Sequence, residues 1–389
     1  MSASTAALHW FVPYDKLDRR QKDFVDAYEG KSTANVLLQG PPGSGKTILL
    51  VNLINQLRRK DPNRKIGFIT YTRSLIDMLN TGLSAGGVQA VTYFDFKKNP
   101  SARYDLLIVD EVQDLPADVL RAVRSQATQV VVAGDGNQQL YSHGCTEADI
   151  LSSLKFTSPE EQFRIAISYR LTPSVFRAAR VFKPNVIEAS ESNGKTDVKP
   201  EIARAVSWAQ EVEYVYRRAQ LGPQKGEVSA ILFPTRGSLE KFANAVLSYE
   251  GKPMWAMVKN RYNEPDYSSL NTHLAQHKVP LEVVQNSYGS LDSVVKNKRV
   301  VMQTYHSAKG LDYNNVCLPG LSSGEFISSP ADTLFYVALT RSRASMCLSF
   351  SGEPHAYLKR IESLCASIPA DPNRIPRTGP SVGISSDDF

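Results

Sequence analysis

Two hydrophobic rhythms run along this chain. Short stretches dominated by apolar residues, Val36-Leu37-Leu38, Lys65 to Tyr71, Leu106 to Val109 and Val130 to Ala133, read as strands buried on both faces. Between them, apolar residues spaced three or four apart, beginning with Leu50, Leu53, Ile54 and Leu57, read as helices. The alternation resumes later, with a helix from Ala209 to Leu221, a strand from Val228 to Phe233 and a helix from Leu239 to Leu247. It predicts an α/β protein with parallel sheets and right-handed crossovers. The stretch from Pro184 to Pro200 reads as a linker, dividing a first domain (1–190) from a second (200–366). Beyond it, Pro and Gly recur too often for a core, so 367–389 reads as a disordered tail.

Bulk properties narrow the class. At 389 residues the chain exceeds one ordinary core. No window approaches the roughly 18 apolar residues of a membrane span, and Met1-Ser-Ala-Ser-Thr lacks the order of a signal peptide. No membrane partner is expected. The four cysteines lack CxxC spacing, which argues against a zinc site or a disulfide framework and fits a reducing cytoplasm. His273 and His277, four apart, fall short of the three or four ligands a metal site needs. A net charge of +6 suits a polyanionic partner, after part of it is assigned to a nucleotide site.

Chemistry concentrates where predicted strands end. Gly40-Pro-Pro-Gly-Ser-Gly-Lys46-Thr47 lies between a strand and a helix, the context that distinguishes a phosphate loop from a chance match. Gly40, Gly43 and Gly45, with Ser44 among them, let backbone N–H groups converge on phosphate oxygens. Lys46 would reach the β- and γ-phosphates and Thr47 would ligate Mg²⁺, so ATP with Mg²⁺ is the expected cofactor pair. The strand Leu106 to Val109 closes on Asp110 and Glu111. Such a pair divides its labour: Asp110 holds Mg²⁺ and Glu111 activates the attacking water. The strand Val130 to Ala133 leads to Gln138, an amide placed to sense the γ-phosphate, and to Tyr141. Thr70 to Arg73 and Val91 to Phe94 set polar and aromatic residues at strand ends, the edge where α/β sheets bind ligands.

The set GPPGSGKT, DEVQD and GDGNQQLY, in this order and spacing, resembles the UvrD/Rep group of superfamily 1 helicases. Ser168-Tyr169-Arg170, Val301 to Asp312 and Val337 to Arg343 resemble motifs IV, V and VI, so the likeness runs from about Leu17 to Phe350. It implies two RecA-like P-loop-type domains with a nucleotide in the cleft between them. Gln21 would read adenine and Tyr169 stack on it, while Arg170 and Arg341 would neutralise the γ-phosphate across the cleft, and Gly310 and Asp312 would lie on the nucleotide. Thr72, Arg73, Thr92, Tyr93, Phe94, Tyr141, Thr304 and His306 match family positions that face single-stranded DNA. Two departures stand out: Asp312 replaces the usual Glu, weakening a ribose contact, and Ser168 replaces the usual Asn, putting a local hydrogen bond in doubt.

The intervals from Arg73 to Asp110 and from Arg236 to Thr304 leave no room for the large accessory domains of bigger relatives. A decorated connection or a small pin are the two readings of Lys252 to Lys298. The resemblance implies ATP-driven translocation on single-stranded DNA, 3′ to 5′, with duplex unwinding less firmly implied. Two alternatives stay open: an ATP-driven regulatory or loading subunit of a nuclease in repair or antiviral defence, and an RNA-directed motor. The end, Ser385-Ser-Asp-Asp-Phe389, is similar to tails of bacterial single-strand-binding proteins, so a protein partner of that kind or a nuclease is a further expectation.

Overall fold

Burial on both faces is what turns the apolar runs into strands. Val36–Gln39 (β1), Ile66–Thr70 (β2), Ala90–Thr92 (β3), Tyr104–Val109 (β4), Ala127–Gly134 (β5) and Gln162–Arg164 (β6) form one sheet in the order β3-β2-β4-β5-β1-β6. All its pairings are parallel. These observations come from a computed structural model that describes residues 11–29, 35–71, 75–76, 79, 82–83, 88, 90–141, 143–156, 162–184, 195–285, 288–324, 327 and 329–375. Thr72, Arg73 and the terminal Ser385 to Phe389 lie outside the described residues.

Along β4 the side chains alternate between two cores. Leu106 and Ile108 join Leu49, Leu50 and Leu53 of the helix Lys46–Lys60, while Leu107 and Val109 join Val119, Leu120 and Val123 of the helix Ala117–Gln126. Each such side chain contributes about 1.5–3 kcal/mol when fully buried.

The second domain repeats the plan. Glu201–Ala205 (β7), Ser229–Phe233 (β8), Leu281–Val283 (β9), Val300–Thr304 (β10), Tyr313–Leu318 (β11), Ser342–Ser351 (β12) and Ala366–Pro369 (β13) lie in the order β13-β7-β12-β11-β8-β10-β9. They too are parallel. The connection from Lys252 to Lys298 is folded into this domain: it supplies two helices and the edge strand β9.

Two expected boundaries are corrected. Residues 367–375 are not a free tail, because β13 pairs with β7 and Ala370, Pro372 and Ile375 are buried. A Pro-rich composition misled because an edge strand tolerates proline. The helix Pro173–Arg180, expected in the first domain, packs with the second. Val175 and Phe176 join its core, and Phe182 lies 4.9 Å edge-on to Phe335. The compositional break follows this helix in sequence, whereas the packing boundary precedes it.

Register decides what meets at the carboxyl edge. Gln39 pairs with Gly134 and Val109 with Val132, so the segments after β1, β4 and β5 leave the sheet side by side. Ile375→Ala is expected to lower the urea-unfolding free energy by about 2 kcal/mol or more, the usual cost of emptying a buried aliphatic site. An unchanged unfolding midpoint would contradict the packing of this segment.

Candidate nucleotide cleft and nucleic-acid face

The turn after β1 is shaped by left-handed backbone. Gly43 and Gly45 have φ of 74° and 83°, and a Cβ on Gly43 would lie 2.3 Å from the Arg170 Cβ. Gly45 opens the helix Lys46–Lys60 with no side-chain cap, so the first N–H groups of that helix face the cleft. Ser44 Oγ is buried with no hydrogen-bond partner. Unpaired donors at a helix start, a buried hydroxyl and a backbone that excludes side chains together fit phosphate oxygens. Lys46 lines the same cleft, its ammonium donating to the Gly40 and Pro41 carbonyls at 2.8 and 3.3 Å.

Thr47 Oγ1 donates to Asp110 Oδ2 at 2.6 Å, a pair of oxygens of the hard kind that could hold Mg²⁺. Burial pushes the Asp110 carboxyl up to about 6, and the Glu111 charge adds to the rise. Burial also raises Glu111, but Lys309 and Lys46 outweigh it and bring the group below the usual carboxylate range. Adjacent carboxyls driven in opposite directions can take different roles. Glu111 sits at φ 55°, ψ 43°, a strained conformation for a residue with a side chain, and accepts from Gln113 Nε2 at 2.6 Å.

The second domain supplies the opposite wall. Arg341, 2 % exposed, donates to Gln138 Oε1 at 2.9 Å and to the Leu311 carbonyl at 3.0 Å. Burial lowers its guanidinium to about 10, so it stays charged near neutrality. Gln138 is held from the other side through Asp135 at 3.0 Å. Arg170 lies 2.5 Å from Asp312, and Arg343 pairs with the same carboxylate. Asp312 therefore faces two guanidiniums, and Gly310 lines the cleft beside it. Ser168 donates to the Pro42 carbonyl at 2.8 Å.

Gln21 and Tyr169 come together through Asp18. The Gln21 Oε1 accepts from the Asp18 N–H at 3.3 Å, and the Tyr169 hydroxyl donates to the Asp18 carboxylate. Gln21 Nε2 would be 2.9 Å from a Cβ on Gly45, so these side chains flank the phosphate turn.

Beyond the cleft the same edge of the first sheet carries a ladder of rings. Phe94 lies 4.0 Å from Tyr93, Tyr93 stacks on Tyr71 at 5.4 Å, Tyr71 on Tyr141 at 4.5 Å, and Tyr141 on His143 at 5.4 Å. Phe94 is 62 % exposed. Thr92 and Thr304 are buried, and their hydroxyls donate to Asp95 at 2.8 Å and to Ser307 at 3.0 Å, which fixes the local turns. His306 is half-buried in the turn after β10, and burial lowers its pKa.

Sequence reasoning passed over Asp18, Tyr71, Asp114, His143, Lys309 and Arg343. Tyr71 and Lys309 sat inside segments already singled out, so position relative to the motifs was a usable signal. Asp18 and His143 carried none.

The AAA domain family matches residues 27–144, and the UvrD-like helicase C-terminal domain family matches residues 259–353. The first match spans the phosphate turn, Asp110, Glu111 and the whole ladder; the second spans Thr304 to Arg343. Among solved structures, the C-terminal domain of a possible DNA helicase from Lactobacillus plantarum WCFS1 is similar at 14 % identity. That similarity covers 52 % of this chain and 99 % of the other, with a TM-score of 0.36, and adds nothing to the family matches. No protein of curated function matches the chain significantly. No helix among the described residues is long and apolar enough to cross a membrane.

Gly43→Ala is expected to weaken nucleotide binding about tenfold or more. Left-handed backbone alone costs an L-residue roughly 1–2 kcal/mol, and the added methyl meets Arg170. Calorimetric titration with ATP checks this, and an affinity equal to the parent's would contradict the cradle.

Proposed function

This chain belongs to the UvrD-like helicases, and we propose that it is an ATP-driven motor that moves 3′ to 5′ along single-stranded DNA. The observation that carries this reading is Arg341 of the second domain, which reaches Gln138 of the first at 2.9 Å, across the cleft lined by Lys46 and Glu111. A hydrolytic site built from two domains ties the chemical step to their relative motion.

In this reading the phosphates lie on the N–H groups of the turn and on Lys46, with adenine between Gln21 and Tyr169. Glu111, kept anionic by Lys309 and Lys46, takes a proton from the water that attacks the γ-phosphorus, while the bond to the β-phosphate oxygen breaks. Arg170 and Arg341 face the charge that develops, a contribution of roughly 10³ to 10⁵ in rate. Thr47 and Asp110 would hold Mg²⁺, which when bound neutralises phosphate charge. Asp312 anchors Arg170 and Arg343, which puts its family role toward ribose second to its role toward the arginines.

The ladder suits a sequence-blind track, since base stacking on aromatics is worth about 1 to 3 kcal/mol per base and any base has a stacking face. Tyr71 and His143 join Tyr93, Phe94 and Tyr141 there, and His306, in the turn after β10, would add a contact from the second domain. The cysteines, none of them paired among the described residues, suit the cytoplasm in which we place the protein.

A second reading, an ATP-driven loading subunit of a nuclease acting in repair or antiviral defence, is favoured by one observation. The connection from Lys252 to Lys298 is folded into the second sheet, leaving among the described residues no separate domain to part strands.

Steady-state ATP hydrolysis with no nucleic acid, single-stranded DNA, single-stranded RNA or duplex, run beside fork unwinding, tests both. Stimulation by single-stranded DNA with unwinding is expected of the autonomous motor; stimulation without unwinding moves the assignment to the loading subunit, and stronger stimulation by RNA overturns the DNA preference. Lys46→Ala should weaken nucleotide binding, whereas Glu111→Gln should keep it and lower kcat by about 10² to 10⁴, the range of general-base catalysis. Equal nucleotide affinity in the two variants would contradict these roles.

A further inference from the structure

Lys309 belongs to the second domain, in the turn after β10, yet the oxygens it reaches belong to the first. Its ammonium, 3 % exposed, donates to the Asp114 carboxylate and the Gln138 carbonyl and lies 3.8 Å from Glu111 Oε2. Asp114 is buried as well, and its second oxygen accepts from the Leu140 N–H at 3.2 Å. The residue after Leu140 is Tyr141, which stacks on Tyr71 at 4.5 Å. On its own side Lys309 closes a tight turn with His306, its N–H donating to the His306 carbonyl at 3.3 Å. One buried ion pair thus stands between the aromatic face and the carboxylate that faces the phosphates.

We propose that the Lys309–Asp114 pair couples the aromatic face to hydrolysis, with Lys309 as a positioning residue for Glu111. The inference rests on the reading of the chain as a nucleic-acid-stimulated ATPase. Bases stacked on Tyr71 and Tyr141 fix the Leu140–Tyr141 segment, and through the Leu140 N–H they fix Asp114. Asp114 then receives Lys309 only when the domains close, and the ammonium arrives beside Glu111 in the same movement. When the domains part, Lys309 leaves, Asp114 loses its cation, and Glu111 keeps Gln113 as its described side-chain partner. The pair has two arrangements, made and broken, which is what a coupling element requires.

A buried ion pair can also be purely structural, and the two roles separate experimentally. Replacing such a pair by apolar residues of similar volume is often neutral or stabilising. The double variant Lys309→Met with Asp114→Leu should therefore melt near the parent's temperature yet lose stimulation. We expect kcat with saturating oligo-dT to fall by about 5- to 150-fold, the span of ordinary coupling between sites. KM for ATP and the oligonucleotide Kd should stay within about threefold, the pattern of an interaction made only in the transition state. Lys309→Arg, which keeps the charge, should retain most of the stimulation. A double variant that melts normally and is stimulated like the parent overturns the inference while leaving the ATPase reading intact. A parent chain without stimulated turnover overturns both. If the double variant does not melt cooperatively, Lys309→Gln decides by the same readouts, full stimulation overturning the inference and lost stimulation with unchanged KM supporting it.

Discussion

Charges sealed from water need partners, and in this molecule the partners come from opposite domains. Asp114 and Glu111 stand in the first domain and meet Lys309 from the second. Arg341 stands in the second, and its charge is directed at Gln138 in the first. Arg170, emerging beside the phosphate turn, is held by Asp312 from beyond the cleft. Breaking a buried pair leaves an uncompensated charge, a cost of about 3–5 kcal/mol. The closed cleft is thus a defined electrostatic state, and residues that stabilise closure also line the cleft.

Parallel sheets make this arrangement possible. Every strand of both sheets ends at the same edge of its own sheet, so the turns after β1, β4, β5 and β10 deliver side chains into one region without long excursions. The first sheet serves two faces from that edge: its inner turns build the phosphate cradle, and its outer ones carry the ring ladder. Asp114 touches both, because one oxygen faces Lys309 and the other faces Leu140 beside Tyr141. In the proposed function, phosphate chemistry and nucleic-acid contact therefore share backbone.

Much of this was legible in the sequence where local chemistry dictates it. The phosphate turn, the paired carboxylates and the apolar strands of the first sheet follow from residue type and spacing, because a central parallel strand must be apolar on both faces and a phosphate loop must be rich in glycine. Partners distant in sequence were not legible. Nothing near Lys309 signals that its ammonium enters the other domain, and nothing near Asp312 signals two arginines. Thr92 and Thr304 matched a pattern by position, and nothing near them signalled the local turns their hydroxyls close. The strand Ala366–Pro369 was hidden by Pro369, which an edge position tolerates, and by the prolines that follow it, and the helix Pro173–Arg180 was assigned by sequence proximity although its apolar face packs on Phe335 and its neighbours.

The central claim is that hydrolysis needs a residue delivered across the cleft. Its most direct measurement is single-turnover ATP hydrolysis by an Arg341→Ala chain, taken with the nucleotide affinity of the same protein. The account predicts a fall in rate of about 10³ or more, as for other finger arginines, with nucleotide affinity reduced by less than about tenfold, because the cradle and Lys46 lie in the first domain. A hydrolysis rate close to the parent's would contradict it.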